Sequence, residues 1–487
     1  MFLYSPESVY AMDRAAVAVD GLCEIELMRR AGSRVWSVIC ERWPELKSMT
    51  VFAGSGNNGG DAFVVGLLAR QQGVDVQLIS KGDLSRQSET SRHFSKAWHQ
   101  AGAETEEWQQ QAIKGEIIVD GLLGIGLTRE LDKDWQGLVQ TINQCDASKV
   151  AIDIPSGLSA ETGTAKPCAI EAQVTVTFIG RKVGQVLADG PDYCGELIYD
   201  DLGISKATCF SQAPALEAID EANVCLPAKR KRNSHKNQFG HVLVIGGDRG
   251  MLGAASLAAQ AALRSGAGMV SVLVHPDCVH DLATFPELMV QSWDRIEDNM
   301  AQASVIVVGP GLGQSSEAQV CCQKLQQAGQ PMVIDASALS TGFLRTLSSK
   351  EIVITPHPGE AAGLLETTNI AVQNNRLRAS KELCQQFPVV SVLKGSGTII
   401  QQEGINPPAI NLRGNAGMAS AGMGDVLSGM IAAFVGQHLP VYEAARAGVF
   451  VHALCAENFA QEFDESSVIA SDIISRIPKV IYQLRSP

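Results

Sequence analysis

Between Phe52 and Phe63 the chain reads FAGSGNNGGDAF. Gly54, Gly56 and Gly59 fit the spacing G-x-G-x-x-G, which occurs where a strand turns into a helix and the backbone must approach a ligand closely. The apolar run MTVFAG supplies the strand, and DAFVVGLLARQQG supplies the helix. A full dinucleotide fingerprint also needs an acidic residue at the end of the following strand, to take ribose hydroxyls. Here that strand, VDVQLIS, ends in Ser80 and Lys81; Asp75 comes too early and Asp83 lies beyond a glycine. Asn57, Asn58 and Asp61 instead bring amides and a carboxylate into the turn, and oxygen donors of this kind suit an alkali cation or a polar ligand. The stretch predicts a Rossmann-like architecture with different ligand chemistry.

Outward from this turn, short apolar segments recur as EIIVDG, KVAIDIP and AQVTVTFIG. Strands alternating with helices at this spacing imply an α/β domain of three layers, a parallel sheet covered on both faces. Ser5, Pro6 and Glu7 read as a helix start: a cap, a first-turn proline and an acid at the positive dipole end. Two more strand ends carry polar groups. DGLLGIGLTRE places Asp120 before a glycine-rich loop, and AIDIPSG places Asp153 and Ser156 at another turn.

The pattern breaks around residues 205–240, where the basic run Lys229 to Arg232 reads as a solvated segment between domains. A second α/β series follows in HVLVIGG, MVSVLV, SVIVVGPG, PMVIDA, EIVITP and VVSVLKGSG. Its helices include GAASLAAQAALRSGAG and a final pair near residues 424–459, and no repeat relates the two halves.

A chain of 487 residues calls for two or three cores. A net charge of −13 argues against a nucleic-acid-binding surface, although helix ends can still hold small anions. The twelve cysteines are scattered without a C-x-x-C, which favours reduced thiols over zinc or a disulfide scaffold. The start MFLYSPESVYAMDR lacks a signal-peptide pattern and no uncharged apolar run could span a bilayer. A soluble cytoplasmic protein is expected.

The second half carries the clearest chemistry. In GNAGMASAGMGDVLSGMIAAF a small-residue run enters an apolar helix with Asp425 in its first turn. Amides at such a helix start form an anion site, and the aspartate can take a proton from a substrate hydroxyl while they hold a phosphoryl group. LKGSGTII reads as a strand ending in a Gly/Ser turn fit to wrap a phosphate. VGPGLG and TPHPGE both follow strands, where open α/β sheets bind ligands. His357, between two prolines at a sheet end, reads as a substrate contact.

These motifs, with SHKNQFGHVLVIGG and GAASLAAQAALRSGAG, occur in the order of the ribokinase-like NAD(P)H-hydrate dehydratases, and residues 225–487 resemble that family. The resemblance implies Asp425 as catalytic base, with Lys394, Gly395, Ser396, Gly397, Thr398 and Gly424 around an adenine nucleotide. It implies Ala254 (or the neighbouring Ala255), Gly311 and His357 around the hydrate. The chain departs from the family at Met423, where a small or hydroxyl residue is usual, and at Ala416, which replaces a proline. Residues 1–210 are similar to NAD(P)H-hydrate epimerases through GNNGGD, DGLLGIGLTRE and AIDIPSG. By that likeness Asn57, Asn58, Gly59, Gly60 and Asp61, then Gly124, Ile125, Gly126, Leu127, Thr128, Arg129 and Glu130, contact the hydrate. Asn58, Asp120 and Ser156 hold potassium, and Asp153, with Asp61 as alternative or helper, moves the proton.

Together the resemblances imply consecutive activities: epimerising R and S hydrates of NADH or NADPH, then dehydrating the S epimer using ADP or ATP with magnesium. A symmetric homo-oligomer is expected, as α/β domains of this kind often assemble. Two rivals stand beside this reading: a ribokinase-type small-molecule kinase, and an N-terminal half that senses a ligand or binds a partner without catalysis.

Overall fold

The computed structural model describes residues 1–282 and 285–486, in two compact units, Phe2–Leu216 and a second from Glu217 onward. No helix among the described residues is long and apolar enough to cross a membrane, and the twelve cysteines are free thiols.

The first unit is built on strands β1 (Ser48–Ala53), β2 (Asp75–Ser80), β3 (Glu106–Glu107), β4 (Ile117–Gly121), β5 (Ser148–Ile152), β6 (Val174–Phe178) and β7 (Glu196–Asp200). They lie in the order β3-β2-β1-β4-β5-β6-β7, and every neighbouring pair is parallel. The order reverses between β1 and β4. There the loops after these two strands diverge and leave a crevice, the place where open sheets bind ligands. The central strands β4 and β6 are buried along their whole length, the threonines of β6 included. Strand β7 escapes such a reading because ELIYD is a half-exposed edge strand.

Helix α1 (Pro6–Ala18) begins as its cap signals require, with Ser5 accepting a hydrogen bond from the Ser8 amide. Helices α2 (Glu24–Arg42) and α3 (Asn57–Gln71) pack closely: a methyl on Gly32 would lie 2.5 Å from Val64 Cβ. The glycines of the opening motif serve close approach. A Cβ on Gly54 would lie 1.7 Å from the Leu122 carbonyl oxygen, and one on Gly59 would lie 2.0 Å from the Gly54 carbonyl oxygen. They let the start of α3 drop onto the sheet beside the loop that follows β4.

The second unit contains β8 (His241–Ile245), β9 (Met269–Val274), β10 (Met289–Ser292), β11 (Val305–Val308), β12 (Met332–Ile334), β13 (Ile352–Ile354), β14 (Val390–Leu393), β15 (Thr398–Gln402) and β16 (Ala409–Asn411). Their order is β16-β15-β14-β13-β12-β11-β8-β9-β10. From β14 to β10 the pairs are parallel; β14-β15 and β15-β16 are antiparallel. LKGSGTII is therefore two strands with the turn between them, Leu393 pairing with Ile399, rather than one strand ending in a turn. Near the broken stretch, Glu217 and Ala218 pair in parallel with Ala409 and Ile410.

Six helices matter to this unit's site and core: α4 (Leu252–Arg264), α5 (Pro358–Leu364), α6 (Arg376–Gln386), α7 (Met423–Gly436), α8 (Val441–Ala460) and α9 (Ala470–Arg485). Helices α7 and α8 are buried around most of their circumference, so neither shows a polar stripe. Gly429 of α7 lets α4 approach, since a Cβ there would lie 2.0 Å from the Ala258 carbonyl oxygen. Helix α9 carries Pro478 inside it, a residue that masks the helix in the sequence.

Gly59→Ala, which improves helix propensity at an interior position, should nevertheless destabilise the first unit by about 2 kcal/mol or more, because backbone cannot move aside for the methyl. Urea unfolding of the variant and its parent measures this.

Candidate active sites

In the first unit the crevice between β1 and β4 opens into a cavity of 820 Å³. Asn57, Asn58 and Asp61 reach it from the first turn of α3, Gly124, Ile125, Gly126, Leu127, Thr128 and Arg129 from the loop after β4, and Asp153 from the turn after β5. Gly59, Gly60 and Glu130 do not line it. Gly59 and Gly60 are buried against backbone and against the Met28 side chain, and Glu130 is exposed. The wall also includes Tyr10, Asp13 and Lys182. Of these three, Lys182 follows a strand and so carries a local signal in the sequence, whereas Tyr10 and Asp13 on α1 carry none.

Asp153 has a left-handed backbone, φ 64°, unusual for a residue with a side chain. Its Oδ1 accepts from Thr177 Oγ1 and the Phe178 amide, both at 3.2 Å, and from the Lys182 ammonium. Gln185 Nε2 donates to its backbone carbonyl at 2.7 Å. The Lys182 side chain is fully buried and also donates to Thr177 Oγ1 at 2.9 Å and to the Phe178 carbonyl at 3.1 Å. Around this pair stand two more carboxyls. Burial pushes Asp13 up to about 6, with Lys182 opposing and Asp153 and Glu24 adding. Burial, then the charges of Asp153 and Asp13, push Asp61 well above the usual carboxylate range. Three carboxyls thus crowd this end of the cavity, and two of them, Asp13 and Asp61, are pushed toward their protonated forms.

Asp120 and Ser156 sit behind the cavity wall rather than on it. Asp120 is fully buried. Its Oδ1 accepts from Ser156 Oγ at 2.6 Å and the Leu122 amide at 3.2 Å, and its Oδ2 accepts from the Ser156 amide at 2.7 Å. Burial pushes its carboxyl up to about 6, only partly offset by those bonds. Asn58, which does face the cavity, donates through Nδ2 to the Leu123 carbonyl at 3.1 Å. Ser156 Oγ accepts from the Leu123 amide at 2.8 Å, so one short loop joins all three residues.

In the second unit, Asp335 at the end of β12, Glu360 in α5 and Lys394 at the end of β14 meet the first turn of α7. Lys394 Nζ lies 3.0 Å from Asp335 Oδ1 and 3.7 Å from Glu360 Oε2. Ser428, one turn into α7, donates to Asp335 Oδ2 at 2.7 Å. A methyl on Gly424 would sit 3.1 Å from Lys394 Nζ, so the missing side chain leaves the ammonium beside the helix start. Burial opposes the charge on Asp335, but Lys394 and Ser428 outweigh it and hold its carboxyl below the usual range. Asp425 is pushed the other way, up to about 7, by burial first and then by the Asp335 charge, with Lys394 opposing. A carboxyl poised near neutrality can serve as a general base. Asp335 and Glu360 carry no motif signal of their own, although each follows an apolar run that marks a strand.

Gly311, at φ 62°, and Ala254 face each other across the reversal between β8 and β11, a methyl on Gly311 lying 3.2 Å from Ala254 Cβ. His357 acts as a helix cap, its Nδ1 accepting from the Gly359 amide at 3.0 Å and the Glu360 amide at 3.3 Å at the start of α5. Its ring is exposed, and Nε2 lies 3.4 Å from Glu360 Oε1. Gly395, Ser396, Gly397 and Thr398 form the turn above Arg376, where Thr398 Oγ1 donates to the Gly395 carbonyl at 3.0 Å.

Such a chain pairs two α/β units: one with a polar cavity at the reversal of a dinucleotide-type sheet, the other with an aspartate and lysine at a glycine-rich helix start. Residues 24–184 match the family model described as YjeF-related protein N-terminus, and residues 242–479 match that of NAD(P)H-hydrate dehydratase. The chain belongs to the family of bifunctional NAD(P)H-hydrate repair enzymes. It is 38% identical to the member from Coxiella burnetii, over 98% of each chain, and 37% identical to that from Escherichia coli, over 96% of this chain and 92% of the other. A solved ribokinase-like superfamily protein from Enterococcus faecalis superposes with a TM-score of 0.51 and 29% identity, covering 56% of this chain and 98% of its own.

The poise of Asp425 has a consequence for stability. The folded chain keeps this proton to about pH 7, whereas an unfolded carboxyl loses it near 4. The group's contribution to stability therefore falls as pH rises through that window. Asp425→Asn should match its parent below pH 4 and exceed it by about 4 kcal/mol above pH 7, read by urea unfolding of the second unit without nucleotide.

Proposed function

We propose that the chain converts the R and S hydrates of NADH and NADPH into one another, and dehydrates the S epimer at the expense of ADP or ATP. Residues 1–210 would carry the epimerase and residues 225–487 the dehydratase. The observation that supports this most is the place of Asp425, pushed up to about 7, in the same first turn of α7 as Gly424, against which the Lys394 ammonium lies.

In the dehydratase, Asp425 takes the proton of the hydrate's C6 hydroxyl as that oxygen attacks the terminal phosphoryl group of the nucleotide. Lys394 and the amides at the start of α7 stabilise the charge that develops on the phosphoryl oxygens. The C6–O bond then breaks with phosphate leaving, and loss of the neighbouring ring proton restores the dihydronicotinamide. Asp335 and Ser428 hold the lysine and the helix start in register. Ala254, Gly311 and the free edge of His357 border the space for the hydrate. The hard oxygens of Glu360 and Asp425 at the phosphate end fit magnesium, which supplies charge neutralisation on the nucleotide.

In the epimerase, Asp153 moves the proton as the C6 centre opens and recloses, with Asp61 as helper, and the buried Lys182 donates to Asp153 and orients it. Asn57, Asn58 and the loop Gly124 to Arg129 contact the hydrate. Asp120 is a buried carboxylate with no cationic partner among the described residues, and with the side-chain oxygens of Asn58 and Ser156 nearby it would hold potassium. That ion supplies positive charge beneath the cavity wall. Its binding is read without activity: potassium should raise the melting temperature more than lithium does, and Asp120→Asn should abolish the difference.

Recovery of NADH absorbance from mixed hydrate epimers, with ADP and then ATP, tests the reading. Asp425→Asn should lose dehydration and retain epimerisation, and Asp153→Asn should do the reverse. The parent's kcat/KM for dehydration should climb as pH rises through about 7. A stable phosphoester in place of released phosphate would mark a kinase instead.

A further inference from the structure

Arg376, the first residue of α6, is 2% exposed and lies directly beneath the turn Lys394 to Thr398. Among the described residues no carboxylate pairs with it. Nη1 donates to Gln373 Oε1 at 3.2 Å, Nη2 faces the carbonyl oxygens of Leu393, Lys394 and Gly397 at 3.3, 3.2 and 3.2 Å, and Nε has no partner. Burial pushes the guanidinium down to about 10, so it stays cationic at neutral pH. A buried charge satisfied only by neutral dipoles is costly, and a fold that needed only a filler here would do better with an apolar side chain.

The turn is shaped around this cation. Gly395 has φ 142°, and a Cβ there would lie 2.6 Å from Arg376 Nη1, so the guanidinium occupies the space of a side chain. The Gly395 carbonyl is taken by Thr398 Oγ1. Thus the carbonyls of Leu393, Lys394, Gly395 and Gly397 are all engaged within the protein. The amides of Gly395, Ser396 and Gly397 donate to no backbone group among the described residues, and Gly395 and Ser396 are exposed. A turn with its carbonyls engaged, its amides free of backbone acceptors among the described residues and a positive charge beneath offers donors to an anion.

We propose that Arg376 is a positioning residue for the nucleotide turn: it ties back the carbonyls and supplies a buried positive charge, making the turn selective for phosphate-bearing ligands without touching them. This deepens the nucleotide assignment above and rests on it. The favourable charge–phosphate attraction is what offsets the burial of the guanidinium once ligand is bound.

Calorimetric titration of the full chain with ADP and ATP tests it, alongside Arg376→Gln and Arg376→Lys. Arg376→Gln should raise the Kd for ADP by about tenfold or more, with kcat at saturating ADP reduced far less. Arg376→Lys, which keeps the charge and loses part of the bonding, should recover most of that affinity. Epimerisation by the same samples should be unchanged. A folded Arg376→Gln variant that binds ADP within about twofold of its parent overturns the inference. So does failure of both variants to give a cooperatively folded second unit, since Arg376 would then hold the unit rather than the turn. A parent that binds neither nucleotide fails the functional reading itself, a result separable from the other two.

Discussion

Parallel strands send every following loop to the same edge of the sheet, and the point where the strand order reverses opens that edge into a crevice. Both units depend on this constraint. In the first, it sets the start of α3 beside the loop after β4; in the second, it sets Ala254 beside Gly311 and lines up the ends of β12, β13 and β14. Glycines make the approach feasible by removing a side chain where backbone meets backbone, as Gly54 and Gly59 do. The chemistry is then a matter of which polar groups the strand ends carry.

Those groups are kept in opposite protonation states by their surroundings. Asp335 is held ionised by Lys394 and Ser428, and its charge is one reason Asp425, close by, keeps its proton to about pH 7. In the first unit Asp153 is matched by a buried lysine, while burial drives Asp13 and Asp61 upward. Carboxyls pushed apart in this way mark out acid, base and electrostatic roles within a small space. Buried cations matter as much as the acids: Lys182 and Lys394 each pair with a carboxylate at a strand end, and Arg376 meets only neutral oxygens.

Much of this was legible in the residues themselves. The apolar runs located the central strands because strands buried on both faces are rich in apolar and β-branched residues. The helix start at Ser5-Pro6-Glu7 and the glycine-rich start of α7 were visible for a similar reason: caps and glycine turns are local chemistry. Elements with mixed surroundings were hidden. ELIYD is an edge strand whose outer half is wet, the strand after the KGSG turn reverses direction without any local mark, and α9 runs through a proline.

The order of glycines, asparagines and aspartates in FAGSGNNGGDAF fixes a strand, a tight turn and a helix with oxygen donors at its start, because backbone sterics and hydrogen-bonding capacity act over a few residues. Nothing local tells that Lys182 will reach Asp153, that Asp335 will set the charge of Lys394 and Asp425, or that Arg376 will lie under Gly395. The first pair is separated by 29 residues, and Asp335 stands 59 residues from Lys394 and 90 from Asp425 (335 to 394, and 335 to 425), with Arg376 and Gly395 nearer but on different elements. Electrostatic coupling depends on distance and burial, not on sequence separation. The sequence determined which groups were available; only the packed sheets decided which of them share a low-dielectric space, and so which hold their protons.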